Sequence, residues 1–172
     1  RRASEITLEN VKVGADAVIG EVGKALPLIE KVTDQAIAAL SAEAAGGMKE
    51  LNDATVEYCK TRKQFGVPIG KFQVLQHRMV DMFMAYEQSV SMTYMVTLKL
   101  GESEEERLKA ASGAKVQIGK AGRFVGQQAV QLHGGMGMTD ELNVGHYFKR
   151  LTMIDTQFGN VDHHLTRYSS AA

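Results

Sequence analysis

Residues 103–135 read SEEERLKAASGAKVQIGKAGRFVGQQAVQLHGG, and this stretch decides the fold class. Its apolar side chains recur every three or four residues, which places them on one face of a helix for about seven turns. Ser103 and Glu106 fit the capping box S-x-x-E that begins a helix, and an acidic run suits the polarised first turn. Gly134 and Gly135 mark its end. The apolar face consists of Leu108, Ala111, Ala114, Ile118, Ala121, Val125, Ala129 and Leu132.

Two further long helical patterns precede this helix. The first runs from about Pro27 to Phe65–Gly66, and Pro68 cannot continue it because proline lacks an amide hydrogen. The second begins near Phe72 and stops at Gly101. Three helices of about 30 residues with short connections pack as antiparallel neighbours, so we predict an all-α, up-and-down helical bundle. The predicted apolar faces are Leu40, Ala44, Met48, Leu51, Thr55 and Tyr58 in the first helix, and Leu75, Met79, Met82, Tyr86, Val90 and Leu98 in the second.

The two ends of the chain carry shorter elements. Thr139 or Asp140 is predicted to cap a fourth helix that runs to about Leu151, and a fifth helix runs from about Asn160 towards Tyr168. Residues 5–12 alternate between polar and apolar, which predicts one short β-strand. A single strand needs partners outside this chain, or else it lies on the helices.

Composition excludes several classes of protein. The 172 residues carry 20 basic and 20 acidic side chains, so the formal net charge of zero argues against general nucleic-acid binding. Cys59 is the single cysteine, which excludes an internal disulfide. We see no apolar run of 18 residues and no signal peptide, although the chain opens at Arg1 without a methionine. We expect no membrane span and a cytoplasmic location.

The corner between the first two helices, residues 61–73, reads TRKQFGVPIGKFQ. Arg62, Lys63 and Lys71 surround Phe65 there. The planar guanidinium of Arg62 suits a phosphate group. The simpler interpretation is that these cations offset the dipole at the end of the first helix.

A second unusual stretch, His133-Gly134-Gly135-Met136-Gly137, ends the third helix. Glycines permit positive φ and the close approach of another molecule, and amide groups at the following helix start can face an anion. A plain glycine C-cap explains the same residues. The glycines do not form a dinucleotide fingerprint, because a helix precedes them where a strand is required.

Candidate metal sites are absent from the sequence pattern. His163 and His164 are adjacent and therefore do not share a helix face, and no partner residues have metal-ligand spacing. We therefore predict no metal site.

Taken together, the corner and the glycine stretch resemble the C-terminal domain of acyl-CoA dehydrogenases. The resemblance covers nearly the whole chain and is weakest after Leu151. It implies that residues 1–26 are the end of the family's middle β-domain and a linker, and that residues 27–172 are the helical bundle domain. Its residues are Arg62-x-Gln64-Phe65-Gly66-x-Pro68-Ile69, Phe72-Gln73 and Gln131-x-His133-Gly134-Gly135-x-Gly137, with Leu8-Glu9-Asn10-Val11 and Gly20-Glu21-x-Gly23 upstream.

The family dehydrogenates acyl-CoA thioesters between Cα and Cβ with FAD in fatty acid metabolism. It passes the electrons to an electron-transfer flavoprotein and generally works as a tetramer. Applied to this sequence, the resemblance implies FAD as cofactor, with an arginine for the pyrophosphate oxygens, a phenylalanine for the adenosine and glycines for close backbone approach. The implied contacts are Arg62, Phe65, Gln73, Gln131, Gly134 and Gly135.

The catalytic base departs from the family pattern. The family reaction needs a carboxylate for the α-proton, and the two positions that the family uses fall on Phe158 and Ala36, neither of which accepts a proton. Candidate substitutes are Asp34, Asp155 and Asp162. Asp34 belongs to the family's Asp-x-x-Arg motif, whose arginine position is Ile37, and it lies about 200° around the helix from Ala36.

Three hypotheses therefore stand. The protein is an acyl-CoA dehydrogenase with a relocated base, or a non-catalytic subunit of a heteromeric enzyme whose partner carries the glutamate. A helical interaction module without flavin is the third. We expect homo- or hetero-tetramers, and this chain alone is predicted to be inactive.

Overall fold

The computed structural model describes residues 4–171. The chain divides after Val32 into two compact units, and most of the contacts between residues lie within the second unit. The first helix, α1 (Leu26–Thr61), begins in the first unit and ends in the second.

Before α1, the first unit consists of an irregular segment with one short 3₁₀ turn at Ala15–Ala17. Residues 5–12 form no strand, which corrects the prediction from the alternating pattern. A strand is stabilised by hydrogen bonds to a neighbouring strand, and the described part of this unit supplies none. The apolar side chains of this segment are exposed, including those of Ile6, Leu8 and Ile19.

The second unit is the predicted all-α bundle, with one small hairpin. After α1 come the strands β1 (Lys63–Gln64) and β2 (Val67–Pro68). The remaining helices are α2 (Gln73–Lys99), α3 (Glu104–His133), α4 (Val144–Thr156) and α5 (Val161–Ser170). Short 3₁₀ turns at Ile69–Lys71 and Gly134–Met138 precede α2 and α4.

Helix α3 lies at the centre of the bundle and contacts α2, α4 and α5. The side chain of Ser103 accepts a hydrogen bond from the amide of Glu106, which confirms the predicted helix start. Seven of the eight residues on the predicted face are buried, and Leu108 is half-buried. The core therefore forms around the helix with the most regular apolar pattern.

Helix α2 differs from its prediction in one part of its buried face. Met82, Ser89 and Val96 are buried, at a regular spacing of seven residues. Leu98 was expected in the core but is 78% exposed. It lies two residues, and therefore about 200°, beyond Val96, so one helix cannot bury both towards α3.

Helix α4 is offset from its predicted bounds, whereas α5 begins where the sequence predicts. Neither Thr139 nor Asp140 caps α4, which begins at Val144, because the glycine-rich 3₁₀ turn occupies that part of the chain. The hydroxyl of Thr139 instead donates to the carbonyl of Met136. Helix α5 begins as predicted: the side chain of Asn160 accepts from the amide of His163.

Candidate functional site

The corner after α1 and the glycine stretch after α3 line one open cavity of about 420 Å³. Sequence separates the two stretches by about 70 residues, and the bundle brings them together. The lining includes four of the six predicted cofactor contacts. Its residues are Tyr58, Arg62, Gln64, Ile69, Gln131, Leu132, His133, Gly134, Gly135 and Met136.

The Arg62 side of the cavity is formed by a hairpin, which ends α1 four residues earlier than predicted. Lys63 pairs with Pro68 and Gln64 with Val67, so Phe65 and Gly66 form a two-residue loop. The amide of Ile69 donates to the carbonyl of Arg62 at 2.8 Å and closes the corner. Among the described residues, no side-chain hydrogen bond or ion pair engages the Arg62 guanidinium, which is exposed and available to an anion.

The paired glycines Gly134 and Gly135 also line the cavity. Gly134 has φ 58° and ψ −140°, a conformation that L-residues with a Cβ avoid. A Cβ built on Gly134 or Gly135 meets no atom within 4 Å, so open space lies beside this backbone. At Gly137 a Cβ would lie 2.8 Å from the carbonyl oxygen of Val130. The first two glycines therefore leave room for a ligand, whereas Gly137 permits close packing.

Tyr58 and His133 also line this cavity, although the sequence analysis placed Tyr58 on the apolar face of the first helix and named His133 only as part of the glycine stretch. Their rings stack with centroids 4.4 Å apart. The Nδ1 of His133 donates to the carbonyl of Ala129 at 2.8 Å, and burial lowers the pKa of the imidazole, so the ring is neutral at pH 7. The position of His133 next to the paired glycines was the sequence signal that it lies at this cavity.

Two predicted contacts lie outside this cavity. Phe65 is 91% exposed at the tip of the hairpin, with its ring edge-on to Phe72 at a centroid distance of 6.1 Å. Gln73 is exposed at the first residue of α2. Neither residue lines the cavity with Arg62 and the glycines.

A second turn, residues 157–160, carries Phe158 between α4 and α5. Phe158 has φ 55° and Gly159 has φ 100°, and the Phe158 side chain is 48% exposed. A left-handed conformation at a bulky residue is unusual and must be held by its surroundings.

Three side chains hold this turn. The buried Lys115 donates from Nζ to the carbonyls of Ile154, Asp155 and Gly159 at 2.8–2.9 Å. The buried His164 donates from Nε2 to the carbonyl of Phe158 at 2.9 Å. Arg150 bonds the side chain of Gln157 and forms a two-pronged ion pair with Glu43 of α1.

Burial also changes the ionisation of the two buried side chains. It lowers the pKa of Lys115 to about 8, with nearby Asp155 opposing the change. It lowers the pKa of His164 to about 4, so this histidine is neutral at pH 7. The turn is therefore fixed by one ammonium group and one neutral imidazole.

Asp34 is buried and engaged by two arginines. Its Oδ2 accepts from Arg107 Nε at 3.1 Å, and its Oδ1 accepts from Arg167 Nη1 at 2.8 Å. These cations come from α3 and α5, while Ile37 is buried in the apolar core. The carboxylate of Asp34 thus joins three helices.

Asp155 is buried and Asp162 is exposed. The Oδ2 of Asp155 accepts from Arg123 Nη2 at 2.8 Å. Its Oδ1 has no hydrogen-bond partner among the described residues and lies against Gly119, where a Cβ would approach it to 2.5 Å. Asp162 lies in the first turn of α5. Ala36 is half-buried in α1.

The described residues contain no group of three or more potential metal-ligating side chains. His163 and His164 stack edge-on at a centroid distance of 5.0 Å, with His163 exposed and His164 committed to the turn. Within residues 4–171, no helix has the length and hydropathy needed to cross a membrane.

Comparison with known proteins identifies the fold and the family. The model of the acyl-CoA dehydrogenase C-terminal domain matches residues 26–168. Human mitochondrial short-chain specific acyl-CoA dehydrogenase is 27% identical over 153 residues, which are 88% of this chain and 37% of that protein.

Similarity to solved structures supports the same fold. Butyryl-CoA dehydrogenase from Megasphaera elsdenii superposes with a TM-score of 0.89 at 28% identity, covering 95% of this chain and 42% of that one. PigA with FAD and proline superposes with a TM-score of 0.74 at 28% identity, covering 80% and 36%. The chain thus spans about two fifths of the length of its relatives. It belongs to the acyl-CoA dehydrogenase family, of which it carries the C-terminal helical domain.

Proposed function

We propose that this chain binds the diphosphate of FAD as part of an acyl-CoA dehydrogenase. The observation that carries the proposal is the shared cavity, which is lined both by Arg62 and by the open backbone of Gly134 and Gly135. A guanidinium and closely approached backbone amides are suited to pyrophosphate oxygens. FAD accepts a hydride in this family's reaction.

The described residues fit that cofactor in shape as well as in charge. Nothing within 4 Å would meet a Cβ on either glycine, so a phosphate group can approach the backbone. Gln131 adds an exposed amide at the same edge. Phe65 and Gln73 remain candidates for a part of the cofactor outside the cavity, since the exposed Phe65 ring offers a planar apolar surface.

Binding of the cofactor is tested by replacing Arg62 with alanine in the full-length protein. Loss of a charge-assisted contact should lower FAD affinity by about tenfold or more. Flavin absorbance per subunit after gel filtration measures retention. Lys63→Ala is the matched control, since Lys63 is an exposed cation next to Arg62 that does not line the cavity. Equal retention in Arg62→Ala and the control would contradict the proposed contact.

A non-catalytic subunit of a heteromeric enzyme is the second candidate function. Phe158 and Ala36 stand at the family's base positions, and the carboxylates of Asp34 and Asp155 are committed to arginines. Asp162 is the candidate base whose carboxylate is exposed. If a partner subunit carries the glutamate, this chain lends its cavity to the FAD of that partner.

Replacing Phe158 with glutamate separates the two candidates. The turn that Lys115 and His164 hold leaves the side chain at position 158 half-exposed. In a subunit that lacks only its base, the glutamate should therefore create acyl-CoA-dependent reduction of a dye acceptor. Phe158→Gln is the control without a proton acceptor. A wild-type protein that is already active alone, and that Asp162→Asn inactivates, supports the relocated base instead.

The remaining family properties are part of the same proposal. We propose an acyl-CoA substrate, an electron-transfer flavoprotein as electron acceptor, and assembly into homo- or hetero-tetramers. We also propose that residues 1–26 continue a β-domain. If neither the protein alone nor its complexes retain flavin, the helical interaction module becomes the better description.

A further inference from the structure

A second cavity, of about 380 Å³, adjoins the cavity that contains Arg62 and the paired glycines. Residues of α1 and of the segment 142–147 form most of its lining. The stacked rings of Tyr58 and His133 line both cavities, so the two meet at this pair. None of the proposed FAD contacts lines the second cavity, and FAD binding as proposed leaves it unused.

The charged side chains that line this second cavity are both acidic. Glu50 and Glu57 lie seven residues apart on α1 and therefore on the same face of the helix. Within residues 4–171, no side-chain hydrogen bond or ion pair engages the Glu50 carboxylate. Glu57 pairs with Lys60 at 2.5 Å, but these side chains are 67% and 63% exposed, so the ion pair contributes little. The cavity thus presents negative charge, whereas its neighbour contains the cation Arg62.

His133 adds a third hydrogen-bond acceptor. Its imidazole is neutral at pH 7, and Nδ1 holds the ring proton because it donates to the carbonyl of Ala129. Nε2 is therefore an unprotonated acceptor, and it has no hydrogen-bond partner among the described residues. His133 is only 4% exposed. An unpaired acceptor at this depth favours a ligand that donates a hydrogen bond.

The rest of the lining is mainly apolar and aromatic. Leu51 and Val144 are buried, and the side chains of Leu142 and Tyr147 are half-buried. Aromatic ring faces, such as those of Tyr58 and Tyr147, attract cations. A mostly apolar cavity of this volume, with a few polar groups, is typical of a site for a small molecule.

Charge and hydrogen bonding select the class of ligand. The two glutamates would repel a phosphate or a carboxylate. A metal ion would lack ligands, since the described residues contain no group of three potential metal-ligating side chains. We infer that this cavity binds a small organic cation, in which an ammonium or amidinium group is attached to an apolar or aromatic body. Such binding does not require FAD, because no proposed FAD contact lines the cavity.

Three probes of similar shape test the class of ligand: 2-phenylethylammonium, 2-phenylethanol and phenylacetate. Each is titrated into the purified protein, and binding is measured by ligand-observed NMR. We expect the ammonium to bind about tenfold more tightly than the alcohol, because hydrogen bonds to charged groups are the stronger ones, and phenylacetate not to bind. Equal affinity for the three probes, or no binding of the ammonium at about 10 mM, would overturn the inference.

Variants test the location of the site. Glu50→Gln should weaken binding of 2-phenylethylammonium by about tenfold. Asp81→Asn is the matched control, since it removes the same charge from an exposed residue of α2 outside the cavity. Ala54→Leu should block binding, because Ala54 is an exposed residue of the lining and a larger side chain would fill the cavity.

Arg62→Ala separates this cavity from its neighbour. Arg62 lines only the adjoining cavity, so its loss should lower flavin retention without weakening binding of the ammonium. Unchanged affinity in both Glu50→Gln and Ala54→Leu would overturn the inference. An equal loss of affinity in Arg62→Ala and Glu50→Gln would overturn it as well, because the cation would then occupy the other cavity.

Discussion

Phe65–Gly66 and Phe158–Gly159 are the same dipeptide in nearly the same backbone conformation, yet they occupy different environments. All four residues have positive φ, from 53° to 100°. Phe65 forms the tip of an exposed hairpin, where a two-residue loop requires positive φ at both positions. Phe158 lies in a turn held by buried Lys115 and His164. Local pairing fixes the first turn, whereas distant helices fix the second.

Among the substitutions that test this contrast, removal of the buried ammonium group of Lys115 is expected to change the free energy of unfolding most. Lys115→Met removes the ammonium donor from three carbonyls, of which that of Ile154 still accepts from the amide of Gln157. The loss should lower the free energy of unfolding by about 4 kcal/mol, since each unsatisfied buried group costs about 1–3 kcal/mol. Urea denaturation measures it. Lys63→Met in the exposed hairpin is the control and should cost less than about 0.5 kcal/mol. Similar losses in the two variants would show that Lys115 does not hold the turn.

Protonation of His164 at low pH should destabilise the turn at residues 157–160. Its pKa is about 4 in the folded protein and about 6.5 in an unfolded chain, so between these values the unfolded chain binds more protons. This contribution is complete above about pH 6.5 and falls by about 3 kcal/mol as the pH drops to 4. His164→Gln should remove this part of the pH dependence, whereas His163→Gln, at an exposed neighbour, should retain it. Identical pH profiles for wild type and His164→Gln would be the contrary result.

Replacing Gly66 and Gly159 with alanine should give a smaller difference in stability between the two turns. Gly66→Ala meets no atom within 4 Å, so its cost is backbone strain alone, about 1 kcal/mol. Gly159→Ala adds a contact of 2.3 Å with the His163 ring at a φ of 100°, and should cost about 2 kcal/mol. Thermal unfolding of the two variants measures the difference. A larger loss in Gly66→Ala would mean that the hairpin is the more constrained turn.

The contrast also shows what a sequence pattern can reveal. The hairpin residues are consecutive, and the Arg62 and Phe65 corner was recognisable by its composition. Lys115 gave no such signal, because a lysine in the middle of a helix normally reaches solvent. Its role depends on carbonyls about 40 residues away. The sequence around Asp34 likewise did not show whether its carboxylate was available as a base, because its partners Arg107 and Arg167 come from two later helices.

The sequence by itself determined the helices and their order, because apolar periodicity, the Ser103 cap and the glycine stops act within a few residues of one another. It also determined the family, through two short motifs. Only the tertiary structure decided that Arg62 and the paired glycines line one cavity, that Leu98 is exposed, and that Phe158 lies on a clamped turn. These facts depend on how helices pack against each other, and packing joins residues that no local spacing relates.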